Sequence, residues 1–171
     1  ENYVKLHRLE PAERHFRMCL QFEPDNAQAL WHLGRVLGWL DKDQQGEAMF
    51  RRSLQSAKDT QEQIDAGVAF AGFLQERERD EEAVEFLKRA VELRPKHRLA
   101  WSMLAQCYGR MGMRKKRQQA RNKYLELQAQ TDREEDAYLL DLLKQHSRRK
   151  ADQGDGKESP PSPGRVPADE D

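Results

Sequence analysis

The chain has 171 residues, 37% apolar and 35% charged; that balance suits an elongated helical protein whose layers each bury little surface. Lys plus Arg number 30 and Asp plus Glu another 30, so no global field draws the chain toward nucleic acid or a membrane surface. Two distant cysteines, Cys19 and Cys107, exclude a zinc framework or disulfide scaffold and imply a reducing cytoplasm or nucleus, and no apolar run approaches the ~20 residues that span a bilayer. Glu1 in place of Met reads as the start of a piece of a longer protein.

In chain order, Ala12, Phe16, Cys19, Leu20 and Pro24 place a small, a large, then a small–large pair on one face at helical period. Gly46, Phe50, Ser53 and Leu54 repeat these offsets, and Ala83, Leu87, Ala90, Val91 and Pro95 repeat them again. Pro24 and Pro95 fall just past the last turn, where proline stops a helix without damaging its interior. Ahead of the second and third of these segments lies a further periodic stretch, first Leu30, Leu33, Gly34 and Leu37, then Gly67, Phe70, Ala71 and Leu74. Trp101, Leu104, Ala105 and Tyr108 begin a third pair. A small residue at the centre lets two helices approach closely. Each helix–turn–helix has an apolar stripe it cannot bury alone, so it must stack on the next.

Trp101, Leu104, Ala105 and Tyr108, the Leu33–Gly34 pair, and the Ala-then-large-then-Pro spacing resemble the tetratricopeptide repeat family, with its period of 34 residues. The resemblance implies an all-α class: tandem helix–turn–helix repeats forming an α-solenoid, with a C-terminal capping helix and a disordered tail. Full units are placed at 27–60, 64–97 and 98–131, with residues 61–63 an insertion. A partial unit occupies 1–26, with Tyr3 at the family's tyrosine position and its second helix complete. Strict spacing in the last unit puts Arg117 and Arg121 at core positions, where unpaired guanidinium is costly. A slide of three residues gives Ala120, Tyr124 and Leu127 instead, with a longer turn over 112–116. Residues 132–146 carry Tyr138, Leu139, Leu140, Leu142 and Leu143 among charges and read as the capping helix. Residues 147–171 hold one valine and no other large apolar side chain and are expected to be disordered.

In the family the first helix of each unit lines an inner groove. Carried onto this chain, that role falls to Trp31, His32, Arg35 and Trp39, then Val68 and Gln75, then Leu99, Met103, Gln106 and Arg110. Aromatics and arginine are the residues that most often anchor interfaces, so the expected function is a scaffold or adaptor that binds a partner protein or peptide there. Chaperone-binding members hold a carboxylate with Lys and Asn at fixed groove positions; Trp31, Arg35, Ala69, Asp65 and Leu99 stand there instead. A basic run from Arg110 to Lys123, with the patch Arg114, Lys115, Lys116, Arg117 and Arg121 at its centre, is expected to lie beside Asp80, Glu81 and Glu82 of the previous unit. An alternative reading is RNA binding, since the layout with its insertion resembles the interferon-induced tetratricopeptide proteins; few basic residues face inward, which argues against nucleic acid. Ser159 and Ser162, each followed by proline, have the form of phosphorylation sites. The truncated first unit leaves Ala12, Phe16 and Leu20 as an open N-terminal edge suited to self-association. No metal-ligand spacing, phosphate loop or nucleophile–base pair is visible, so neither cofactor nor catalysis is expected.

Overall fold

A computed structural model describes the backbone of residues 2–154 and the side chains of residues 9–145. Ser159, Ser162 and the side chain of Tyr3 lie outside the described residues. The chain divides into two units, Glu1–Gln128 and Ala129–Asp171. Seven helices are described: α1 Asn2–Phe22, α2 Ala27–Trp39, α3 Asp43–Ser56, α4 Thr60–Glu76, α5 Asp80–Leu93, α6 Arg98–Arg110 and α7 Arg114–Gly154. They are tetratricopeptide-type helix pairs, α2 with α3, α4 with α5, and α6 with the start of α7.

The close approach within the first pair rests on glycine. A Cβ at Gly34 would stand 3.0 Å from the Gly46 carbonyl oxygen, and one at Gly46 would stand 2.8 Å from that of Gly34. Between the first two pairs the contact is aromatic: Phe50 of α3 stacks on Phe70 of α4 with centroids 5.2 Å apart, and within the second pair Phe86 of α5 closes on Phe70 at 4.8 Å. Ser53, at a small-residue position, is fully buried and donates to the Ala27 carbonyl at 2.7 Å, so its hydroxyl has a partner. Arg77, just past the end of α4, donates to the Gly38 carbonyl at 2.9 Å and the Phe73 carbonyl at 3.2 Å and also pairs with Asp43. Its guanidinium carbon lies 3.8 Å over the Phe73 ring. One side chain therefore satisfies the C-terminal carbonyls of two helices in adjacent units.

The turns inside the three pairs are alike. Asp41, Glu78 and Gly112 occupy the left-handed region at φ 59°, 58° and 71°. The N–H of the next residue returns in each case to the helix before it: Lys42 to Leu37, Arg79 to Leu74 and Met113 to Tyr108, at 2.8–2.9 Å. This is the 6→1 closure of a Schellman motif. The expected longer turn over 112–116 is therefore absent, and α7 starts at Arg114. The slide itself holds: Ala120 and Leu127 are buried, Tyr124 is half-buried, and Arg117 and Arg121 are exposed.

Three other boundaries differ from expectation. Residues 61–63 do not form a separate insertion but lengthen α4 to 17 residues, against 13 in α2 and α6. Asp59 sets this start by accepting from the Glu62 N–H at 2.8 Å. The first segment is one helix through Pro11, with no turn dividing a first helix from a second. Finally, α7 runs 41 residues without a break, so 132–146 is no separate helix and 147–154 is helical backbone. In the second unit Tyr138, Leu139, Leu140 and Leu142 are exposed.

Candidate functional site

The first helices of successive pairs line one hollow of about 340 Å³. Its floor is apolar and comes mainly from α4: Val68, Ala69, Gly72 and Phe73, with Met103 of α6. Trp31 and Arg35 of α2 form one rim and Leu99 of α6, 57% exposed, another. Asp65 and Glu76 add carboxylates along α4, and His97 stands at the start of α6.

The rim formed by Trp31 and Arg35 is held from behind. Arg35 lies between two indoles, 5.2 Å from the Trp31 centroid and 5.1 Å from that of Trp39. Its Nη2 is 3.3 Å from His32 Nδ1. Burial, and then the Arg35 charge, lower the His32 pKa, which favours a neutral ring able to accept from the guanidinium. His32 stacks on Trp31 on one side and on Phe16 of α1 on the other, the latter at 5.2 Å and nearly parallel. The indole is therefore backed by an aromatic series that ends in the first helix. His97 caps α6: its Nδ1 accepts from the Ala100 N–H at 3.2 Å. Burial, followed by the Arg94 charge, lowers its pKa too.

Of the groove residues expected from sequence, Trp31, Arg35, Val68, Leu99 and Met103 line this hollow. His32 and Trp39 do not; they support Trp31 and Arg35. Gln75 is turned toward α6, where its Nε2 donates to the Met103 carbonyl at 3.1 Å and lies 2.9 Å from Cys107 Sγ. Arg110 is engaged by Asp80 of α5, whose carboxylate accepts from its Nε at 2.6 Å. The Arg110 hydrogen bond holds the Asp80 pKa below the usual range against the cost of burial. Both residues thus tie helices together. Phe73 and His97 were missed; the signal for His97 was its place immediately before a periodic segment, where a side chain that can accept caps a helix.

A second cleft, about 560 Å³, lies between α6 and α7 and takes in Gln106, Arg110, Arg117 and Arg121 beside Ala105, Gly109, Tyr124 and Leu125. Of the basic run, Arg110 meets Asp80 of the previous unit as expected, whereas the later cations do not reach Asp80–Glu82, and Glu82 pairs with Arg79. Arg114, Lys115, Lys116, Arg117 and Arg121 are exposed, and Lys116 sits 5.7 Å over Tyr108. Among the residues lining the first hollow only Arg35 and His97 are basic, too few for a phosphate backbone.

The sequence matches none of the curated proteins. Solved structures share the fold. MamA superposes with a TM-score of 0.64 at 16% identity over 77% of this chain and 70% of MamA. MamA from Desulfovibrio magneticus RS-1 gives 0.61 at 20%, over 74% and 71%. YrrB, described as a TPR protein with an unusual peptide-binding site, gives 0.57 at 21%, over 72% and 62%. Residues 5–125, which run from α1 through the first third of α7, match the ChAPs, the Chs5p-Arf1p-binding proteins. With its stacked helix pairs and that match over most of its length, the chain belongs to the ChAPs family and is built from tetratricopeptide repeats.

Proposed function

We propose that this chain is an adaptor that holds a peptide segment of a partner protein in the hollow formed by α2, α4 and α6. The observation that carries this is one concave site in which Trp31, Val68, Phe73, Met103 and Leu99 offer apolar surface beside one guanidinium and two carboxylates. Few, well-placed polar groups around an apolar floor are what fix the orientation of a bound segment. A guest with one large apolar side chain, an acid toward Arg35 and a base toward Asp65 or Glu76 fits that chemistry. The family is named for binding Chs5p and Arf1p, so the partner proposed for this chain is a protein of that kind. YrrB, likened to this chain by fold, is described as having a peptide-binding site.

The test is calorimetric titration of purified Chs5p-type and Arf1p-type proteins into the chain and into a Trp31→Ala/Arg35→Ala variant. Loss of an aromatic and an arginine anchor is expected to weaken binding by about 2 kcal/mol or more, roughly 30-fold. Circular dichroism must show helix content unchanged. Equal affinity in the folded variant refutes the assignment of this hollow.

A further inference from the structure

Two seams of the array show how a helix pair seats the first helix of the pair that follows. At the first, α4 lies on α2 and α3 with Phe70 stacked on Phe50 at 5.2 Å, Phe73 beside Gly46 and Gly67 against Leu54. A Cβ at Gly46 would stand 3.3 Å from the Phe73 ring, and one at Gly38 would stand 2.9 Å from it. At the second seam Gln75, in the place of Gly38, reaches Cys107, in the place of Phe73, and Ala83 and Leu87 are fully buried. The seat is therefore a small residue and a large apolar one, a turn apart on the second helix.

The third pair keeps the seat and changes its chemistry. Gly46, Ala83 and Arg117 each follow the left-handed residue of their own hairpin by five residues, and Phe50, Leu87 and Arg121 stand four further on. Arg117 lies across Gly109, with its Cδ 3.4 Å from the place of a Cβ. Arg121, Tyr124 and Leu125 continue the cleft of about 560 Å³ between α6 and α7. Within Glu1–Gln128 no further first helix follows. Both arginines and Leu125 are exposed, and neither guanidinium forms an ion pair among the described residues. Large apolar side chains at the places of Phe70 and Phe73 would bury two unpaired guanidinium groups, which disfavours another repeat of the same kind. Carboxylates at those two places would instead meet the arginine forks in charge-assisted hydrogen bonds.

We propose that this cleft docks an amphipathic helix of a partner protein that carries one apolar and two acidic residues at i, i+3 and i+6. The order follows from the first seam, where Gly67, Phe70 and Phe73 meet Leu54, Phe50 and Gly46 in an antiparallel run. In the third seat the apolar residue covers Leu125, the first acid pairs with Arg121 and the second with Arg117. Ala105, Gly109 and Leu125 beside the arginines favour a protein helix over a nucleic-acid strand, whose phosphates supply charge but no apolar side chain to cover them. The cleft shares no lining residue with the hollow of α2, α4 and α6, so it is a second surface of the adaptor.

The test is fluorescence anisotropy of a labelled alanine-based helical peptide of about 15 residues, with Leu, Glu and Glu at those spacings, titrated with the full 171-residue chain. Saturable binding that weakens with salt is expected. It should fall at least about tenfold when both peptide acids become Gln, and equally in Arg117→Glu/Arg121→Glu, which alters exposed positions. Lysine at both acidic places of the peptide should restore binding to that variant. Trp31→Ala/Arg35→Ala should leave the affinity unchanged; loss there puts the peptide in the hollow, which overturns this site and leaves the first reading standing. No binding to the wild type overturns the proposal, including the case in which the chain's own second unit or a second copy fills the cleft. Equal affinity for the Glu and Gln peptides overturns it too, as does retention of an RNA oligonucleotide in preference to the acidic peptide.

Discussion

Replacing Gly46 with alanine probes the close approach of α2 and α3 directly. The added Cβ would stand 2.8 Å from the Gly34 carbonyl oxygen, 3.3 Å from the Gly38 nitrogen and 3.3 Å from Phe73 Cε2. Two of these are backbone atoms of α2, which cannot rotate aside, so the helices must separate by several tenths of an ångström. Overpacking of this kind costs about 1–3 kcal/mol. Alanine returns about 0.5–1 kcal/mol through its higher helix propensity, leaving a net loss of about 0–2.5 kcal/mol, centred on ~1 kcal/mol, and a fall in Tm of a few degrees. Gly67→Ala is the matched control. It is also buried and helical, but the nearest atoms to its Cβ, on Leu54 and Phe86, are both 4.0 Å away. There only the propensity gain remains, about 0.5–1 kcal/mol of stabilisation. Thermal melts followed by far-UV circular dichroism should move in opposite directions for the two variants. If Gly46→Ala melts at or above the wild type, or both variants shift alike, the packing argument is wrong.

Glu47 gives a pH-dependent counterpart. The Arg79 guanidinium holds its carboxyl at about 2 against the opposing cost of burial, with Arg51 adding to the effect. A carboxyl depressed on folding contributes stability that is complete above its unfolded pKa of about 4.5 and is lost as pH falls toward 2. Glu47→Gln should therefore cost about 1–2 kcal/mol near neutral pH, allowing for solvent screening, and the gap in denaturant midpoint should shrink as pH drops from 5 to 2. A pH-independent gap refutes this. The cysteines should also separate: Cys107 is fully buried and burial pushes its thiol up to about 11, so a thiol reagent at mildly alkaline pH should label Cys19 in the native chain and reach Cys107 only on unfolding. Equal native labelling rates contradict the placement of Cys107.

The parts of this fold that sequence revealed are those set by local periodicity. Gly34, Gly46 and Phe50, or Ala83, Leu87 and Ala90, announce a helix pair because their spacing alone fixes which side chains share a face. The slide to Ala120, Tyr124 and Leu127 was legible because burying Arg117 or Arg121 without a partner is unfavourable. What it did to the chain was not: the turn keeps its length, and α7 carries one extra polar turn before its core begins. The unbroken course of α7 had its own signal, since no glycine or proline occurs between Met113 and Gly154, but the charge-rich stretch 132–136 reads like a boundary. The roles of Gln75 and Arg110 were hidden for a different reason. Their partners, Met103 and Asp80, lie 28 and 30 residues away, and no helical period connects them. Position in a repeat says where a side chain starts; its neighbour in the next unit decides whether it faces a guest or a helix.

The three alike left-handed turns have a further consequence for how such a chain can vary. With the residue at φ near 60° and the backbone closure fixed, a hairpin of two helices is a rigid cassette that admits neither an added nor a deleted residue at its tip. The surplus residues 61–63 lie in the first turn of α4, at the seam between cassettes, where they lengthen that helix by about one turn. Growth of this scaffold therefore proceeds at its seams, lengthening the inner helices that touch a guest while every hairpin tip stays the same.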